Sequence, residues 1–217
     1  MKEGHIMKKF LLTVFAACLP LSAFAESSHV DAVLKTMAFY DANHERIACD
    51  TTGDIIICTD ENEKPYSGDA YAEEKIDEPR YKAEFKMSDG EISGPVRIFE
   101  DGKLIIETYY IRGLQEGLET NYYPDGKTYL VTGYLGGKLH GLSREYDQAG
   151  TLISLVNWKD NKQDGEMKEF YSNGNLKSIS AWKDDVQHGI SVFYGEDGRI
   201  TEKTLWVHGK VVKHYSK

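Results

Sequence analysis

The chain has 217 residues, of which 41% are hydrophobic, 28% are charged and only five are proline. This composition excludes collagen-like, broadly disordered and multi-span membrane proteins, and it predicts a chain that folds in water. The formal net charge of −9 disfavours a DNA or RNA partner, because such a partner requires a surface that neutralises phosphates.

The first 25 residues are typical of a secretory signal peptide. Lys8 and Lys9 precede an apolar run that begins at Phe10, and the Ala-Phe-Ala sequence at residues 23–25 provides a small-residue cleavage site. Cleavage after Ala25 removes three lysines and one glutamate and leaves a charge of −11. The sequence therefore predicts a periplasmic or secreted protein, and no later stretch approaches the roughly 18 apolar residues that span a bilayer.

Two alternatives at this end stay open. Met7 is as plausible a start as Met1, because the lysines that follow it form the better basic segment. A lipoprotein anchored through Cys18 is the weaker alternative, because the predicted cleavage site lies beyond that cysteine.

Cys49 and Cys58 are predicted to form a disulfide in the exported chain. They flank a short segment in which Thr52, Gly53 and Asp54 form a turn pattern. A redox-catalytic pair is disfavoured, because these cysteines lack the Cys-x-x-Cys spacing that lowers a thiol pKa. The disulfide is therefore interpreted as structural.

A helix is predicted between Glu26 and Arg46. Apolar residues recur there at three- and four-residue spacing, and Ser28 and Asp31 fit a capping box. The apolar positions are Val30, Val33, Leu34, Met37 and Tyr40. We therefore predict that residues 26–65 form a small N-terminal cap, made of the helix and the cysteine loop, that packs against a repeat array at residues 66–217.

The array is indicated by a period of 24 residues. Three kinds of column keep it: turn glycines, bulky aromatic residues, and a second set of glycines. The turn glycines are Gly102, Gly126, Gly150, Gly174 and Gly198; the aromatic column is Tyr110, Tyr134, Trp158, Trp182 and Trp206; the second glycines are Gly117, Gly141, Gly165 and Gly189, joined by Gly94 after one missing residue. A further aromatic column holds Tyr122, Tyr146, Phe170 and Tyr194, and Phe99 precedes it with the same one-residue gap.

Each 24-residue unit is predicted to be a β-hairpin. Asp or Asn precedes every turn glycine except Gly150, which follows Ala149, and such pairs favour tight turns with positive φ. A second turn in each unit carries a residue that tolerates left-handed geometry, namely Gly113, Gly137, Asn161, Asp185 or Gly209. Five such units predict a mainly β fold, an elongated antiparallel meander.

The order of these columns resembles the MORN-repeat family, and more closely the variant found in YwqK-like bacterial antitoxin and immunity proteins. The resemblance covers about residues 90 to 213. It implies a repeat scaffold whose role is to bind another protein.

Catalytic and metal-binding residues are not predicted. His140 and His188 occupy the same place in the repeat 48 residues apart, where Glu116 and Asp164 also stand, and a shared turn position explains all four. Hairpins two units apart separate such side chains by about four strand spacings of ~4.8 Å, too far to share a metal ion. We therefore expect no enzyme activity, no cofactor and no metal.

The aromatic column Tyr110, Tyr134, Trp158, Trp182 and Trp206 is the candidate binding site. One interpretation is structural, with the rings stacked as cross-strand ladders. The other is an exposed aromatic stripe that a partner contacts, with loop-tip charges such as Lys159, Asp160, Lys183, Asp184 and Asp185 at its rim.

Two functions are compatible with this sequence. The first is an exported, non-enzymatic immunity protein or antitoxin that blocks a toxin sterically. The second is an envelope-associated repeat scaffold that binds a glycan, a lipid headgroup or an assembly partner. The partner's identity and the oligomeric state stay open between them.

Overall fold

The computed structural model of the protein describes residues 29–74 and 80–216. The predicted signal peptide at residues 1–25, with Met1, Met7 and Cys18, lies outside the described residues, as does Ser28 of the predicted capping box. No helix in the described ranges is long and apolar enough to cross a membrane.

The described chain contains one short helix and twenty strands in a single sheet. The helix is α1 (His29–Leu34). The strands are β1 (Met37–Asp41), β2 (Ala48–Asp50), β3 (Ile57–Thr59), β4 (Gly68–Glu74), β5 (Tyr81–Ser88), β6 (Glu91–Ile92), β7 (Gly94–Glu100), β8 (Lys103–Ile111), β9 (Leu114–Gln115), β10 (Gly117–Tyr122), β11 (Thr128–Leu135), β12 (Lys138–Leu139), β13 (Gly141–Tyr146), β14 (Leu152–Lys159), β15 (Lys162–Phe170), β16 (Leu176–Lys183), β17 (Val186–Gln187), β18 (Gly189–Tyr194), β19 (Ile200–Val207) and β20 (Lys210–Ser216).

The long strands follow one another as an open antiparallel meander. The pairings run β1, β4, β5, β7, β8, β10, β11, β13, β14, β15, β16, β18, β19 and β20. The two-residue strands β6, β9, β12 and β17 each extend a hairpin arm just before the next long strand begins. The predicted mainly β fold with hairpin repeats is confirmed.

The predicted extent of the N-terminal helix is wrong. α1 ends at Leu34, and Met37 and Tyr40 lie in β1, which pairs with β4 in the register Phe39↔Ala72. The spacing of the apolar residues 30, 33, 34 and 37 fits one face of a helix, but it fits a helical turn followed by a strand equally well. The strand forms because β4 offers it an edge, and Phe and Tyr suit a pleated, half-buried surface.

The cap and the first hairpins share one hydrophobic core. Val30 and Leu34 of α1 are buried in the same cluster as Phe85, Val96 and Tyr110 of the sheet. The predicted disulfide between Cys49 and Cys58 is confirmed, joining β2 to β3 at facing positions, and Cys58 also belongs to this cluster. The core is therefore concentrated at the N-terminal end of the sheet.

Two turn geometries alternate along the array. At the second turn of each unit both central residues have positive φ, as at Asp160 (52°) and Asn161 (67°), so the predicted left-handed residues are confirmed there. At turns such as the one around Gly150 only the glycine has positive φ. Ala149 is tolerated before Gly150 because its own φ is not positive. Asp147 caps this turn instead, since its side chain accepts a hydrogen bond from Thr151 N at 2.9 Å.

Candidate binding face of the repeat sheet

One face of the repeat sheet is crowded and the other is open, although both belong to the same strands. We call the crowded face the inner face. Ser191 of β18 is 0% exposed on it, whereas Leu118 of β10, pointing the opposite way, is 58% exposed. Small side chains become so buried in an open sheet only when their neighbours close over them.

The middle of the inner face is a floor row of mostly small polar residues from successive strands. Its members are Thr108, Glu119, Thr132, Ser143, Val156, Met167, Ser180, Ser191, Thr204 and His214. Gln115, which pairs with Tyr110 beside this row, donates from Nε2 to Thr108 Oγ1 at 2.8 Å and to Glu119 Oε2 at 2.6 Å, and within the row Ser143 Oγ donates to Thr132 Oγ1 at 3.3 Å. These bonds satisfy polar groups that would otherwise be costly to bury.

The predicted aromatic column forms a second row beside the floor row, and each ring faces a glycine on the preceding strand. The pairs are Gly94↔Tyr110, Gly117↔Tyr134, Gly141↔Trp158, Gly165↔Trp182 and Gly189↔Trp206. Every one of these glycines has positive φ, from 78° to 116°. The glycine column therefore follows from the backbone, since any other residue would be strained at these φ values. The facing rings do not themselves exclude a side chain, because a Cβ at Gly117 or Gly141 would have nothing within 4 Å.

The rings of this column are not equally accessible. Tyr110 and Trp158 are 1% and 5% exposed, while Tyr134, Trp182 and Trp206 are half-buried, with Trp182 Nε1 donating to Ser180 Oγ at 2.9 Å. Only the last three offer surface to a partner. Of the proposed rim charges, Lys183 donates to Asp164 Oδ2 at 2.7 Å.

On the other side of the floor row lies a row that sequence reasoning missed, which we call the glutamate row. Cross-strand pairing places Leu130, Glu145, Ser154, Glu169, Ser178, Phe193 and Glu202 side by side in that order. Glu145 and Glu169 hold the same place in consecutive 24-residue units, so the period could have revealed them. Neither the floor row nor the aromatic and glutamate rows contain a lysine or an arginine.

The carboxylates of this row differ in their surroundings. Glu169 Oε2 accepts from Ser178 Oγ at 2.7 Å, and its other oxygen lies 3.7 Å from Lys177 Nζ. Burial raises the pKa of Glu145, and a hydrogen bond from Tyr129 partly offsets that rise. Glu145 has no ion-pair partner among the described residues, so apart from the Tyr129 hydrogen bond its desolvated charge is not compensated.

Several buried polar atoms of the inner face lack hydrogen-bond partners. They are Ser154 Oγ, Trp158 Nε1 and Gln163 Nε2, and Trp206 Nε1 is a further case near the C-terminal end. Ser154 stands directly between Glu145 and Glu169, and Trp158 faces Gln163 across the β14–β15 pair. Leaving such groups unpaired costs about 1–3 kcal/mol each, which is typical of a surface kept for a ligand rather than for stability.

In the column that holds His140 and His188, Glu116 and His188 cap turns, in agreement with the shared turn position expected from the sequence, whereas the buried Nδ1 of His140 has no hydrogen-bond partner. Glu116 Oε1 accepts from Gly136 N at 2.9 Å, and His188 Nδ1 accepts from His208 N at 3.4 Å, in each case from the first residue of the next hairpin turn. Among the described residues no three His, Cys, Asp or Glu side chains are grouped so as to hold a metal ion.

Successive turns are also tied to one another. Asn161 N donates to Leu139 O at 3.1 Å while Leu139 N donates to Asn161 Oδ1 at 2.7 Å, and Asp185 repeats both bonds with Gln163 at 3.0 and 2.7 Å. Each hairpin is therefore held to the one before it at the turn, outside the sheet ladder. This arrangement makes the inner face a pre-organised surface.

Three segments of the chain, residues 115–130, 139–160 and 163–184, match the family model described as MORN repeat variant. These units are similar to MORN repeat variants. The second and third matched segments each begin just after a two-residue turn and end within the next one, so a MORN-variant unit here is one complete pair of strands. A search of curated proteins found no match to the chain. Repeats of this kind suggest a binding scaffold.

Proposed function

We propose that the protein is an exported, non-enzymatic binding protein of the immunity type, which blocks a toxin by covering it. The repeat array is the binding scaffold, and its partner is a protein toxin delivered to the same compartment. The mechanism is steric occlusion, in which the partner is bound along the sheet.

One observation carries this proposal. The inner face carries the carboxylates of Glu145 and Glu169 two strands apart, with no lysine or arginine in its rows, on hairpins that are hydrogen-bonded to one another at their turns. A pre-organised surface of one charge favours a partner of the opposite charge and speeds its encounter. The net charge of −9 acts in the same direction.

The disulfide supports the export half of the proposal. The Cys49–Cys58 bond is compatible with an oxidising compartment, where such bonds persist. This agrees with the predicted signal peptide at residues 1–25 and with a periplasmic or secreted location.

The experiment is a protection assay in the native host. The product of the gene adjacent to the one for this chain is expressed in exported form, with and without the full-length protein. We expect growth to be restored only by the exported form, so a variant lacking residues 1–25 is the matched control. Unchanged growth arrest together with no complex between the purified proteins would refute the immunity function.

An envelope scaffold is the second candidate, and the half-buried indoles favour it. Trp182 and Trp206 lie on the same face as the hydroxyls of Ser180 and Thr204, a combination of flat apolar and polar groups that suits sugar rings. Binding to isolated peptidoglycan that is lost in a Trp182→Ala/Trp206→Ala variant, without any protection from the toxin, would favour this function.

A further inference from the structure

We propose that Glu145 and Glu169 form a binding site for an extended protein segment that carries a lysine or arginine at every third residue. The inference rests on the proposed function and names the chemistry of the partner segment. The segment would cross the strands along the glutamate row, with its cations placed over successive glutamates.

The spacing of the glutamates matches one backbone conformation. Glu145 lies on β13 and Glu169 on β15, two strands apart, with Ser154 of β14 between them. Two strand spacings are about 9.6 Å. Three residues of polyproline II helix rise about 9.3 Å, whereas two residues of a β-strand rise only about 6.7 Å. A segment in the polyproline II conformation therefore keeps its cations in step with the 24-residue repeat.

The negative charges of the inner face favour a positively charged ligand. Glu145 is partly buried and has no cation near it in the described structure, and Glu169 has only Lys177 at 3.7 Å, a pair whose side chains are 47% and 35% exposed. An exposed pair of this kind is weak and can be exchanged for a ligand cation. A lysine or arginine above Glu145 would supply the missing compensation for its desolvation.

An unpartnered hydroxyl points to a ligand in the same place. Ser154 is 6% exposed and its hydroxyl, which lies between the two carboxylates, has no hydrogen-bond partner. A peptide backbone supplies carbonyl acceptors for the Ser154 hydroxyl, and the ammonium or guanidinium groups of its side chains suit the carboxylates. This single ligand class satisfies both kinds of group.

A neutral glycan is the competing ligand. It could bond to the hydroxyls of the floor row, but it would leave the charge of Glu145 uncompensated. The carboxylates therefore favour the basic protein segment, and the glycan becomes one outcome of the test.

The test uses the full-length mature protein and a labelled peptide of four Pro-Pro-Lys triplets, with Pro-Pro-Gln triplets as the uncharged probe of the same conformation. Binding is measured by fluorescence anisotropy at low and at physiological salt. The variants are Glu145→Gln, Glu169→Gln and their combination. The matched control is Glu166→Gln. Glu166 lies on the same strand as Glu169 but on the open face, opposite the inner face, where it pairs with Lys168 at 2.9 Å.

We expect the lysine peptide to bind and the glutamine peptide not to bind. Each inner-face substitution should weaken binding by about tenfold, the amount expected for one charge-assisted hydrogen bond, while Glu166→Gln leaves it unchanged. Higher salt should weaken binding to the wild type more than to the double variant. Thermal melts of every variant establish that a loss of binding is not a loss of folding.

Three results would overturn the inference: equal weakening by Glu166→Gln, binding of both peptides alike, or binding of peptidoglycan fragments with no binding of the lysine peptide. The immunity function is judged separately. Full protection by the Glu145→Gln/Glu169→Gln variant would overturn this inference and leave the immunity function standing. Peptide binding that follows the expected pattern without any protection would support the site and refute that function.

Discussion

Gly133 is a position where the backbone of the next strand leaves no room for a side chain. Its backbone φ is not in the positive region, so an alanine there is not strained by the backbone itself. A Cβ atom would instead lie well inside van der Waals contact of the His140 carbonyl oxygen. That oxygen cannot move away freely, because His140 N donates to Gly133 O at 2.9 Å.

The expected cost of Gly133→Ala combines two effects. Moving the backbone to admit the methyl group is overpacking, which costs about 1–3 kcal/mol. Weakening the bond between His140 and Gly133 adds about 1 kcal/mol. We therefore expect the free energy of unfolding to fall by about 3 kcal/mol. Gly141→Ala is the comparison, because nothing lies within 4 Å of its Cβ and only its φ of 85° is unfavourable, at about 1–2 kcal/mol.

The assay is urea unfolding followed by tryptophan fluorescence, since buried Trp158 lies on a nearby strand and reports on the array. Ala181→Gly gives a second control, because Ala181 occupies the place equivalent to Gly133 two units later and already carries the methyl group. If Gly133→Ala were no more destabilising than Gly141→Ala, the steric argument would be wrong and the backbone at His140 would be free to adjust.

Three further predictions concern the disulfide, a turn and a buried charge. Cys49 and Cys58 are nine positions apart, so reducing the bond between them should lower the free energy of unfolding by about 2.5 kcal/mol on the chain-entropy estimate. Urea unfolding with and without reductant measures this difference. An unchanged unfolding midpoint would contradict the prediction. Asn161→Ala loses the 2.7 Å cap on Leu139 N and places alanine at a φ of 67°, so it should cost about 2 kcal/mol, whereas Asn161→Asp should be tolerated. Burial raises the pKa of Glu145, so the folded state holds its proton more tightly than the unfolded state, and stability rises as the pH falls from neutral toward the ordinary glutamate range. Glu145→Gln should therefore raise the melting temperature at neutral pH, with the gain vanishing below that range; a lower melting temperature at neutral pH would refute the uncompensated charge.

The N-terminal segment shows where sequence reasoning fails. The apolar spacing from Val30 to Tyr40 is satisfied equally by one helix or by a turn of helix and a strand. Only the presence of β4 as a pairing edge settles it in favour of β1. The Cys49–Cys58 bond, by contrast, was predictable, because only two cysteines follow the predicted signal peptide.

The glutamate row was missed for a related reason. Glu145 and Glu169 follow the 24-residue period, but each is followed at once by a bulge, so the alternation of side chains counted from the next aromatic residue does not show which face of the strand the glutamate occupies. The same uncertainty left the aromatic column with two interpretations, and the structure places Tyr110 and Trp158 in the interior.

The amino-acid sequence by itself determined the hairpins and their period, because positive φ at a turn is a local property that glycine, asparagine and aspartate satisfy without help from the rest of the chain. The tertiary structure alone decided which side chains meet. Each ring faces a glycine, and Ser154 faces Glu145 and Glu169, because of the register between neighbouring strands. That register is set by pairing across the sheet and not by any single strand.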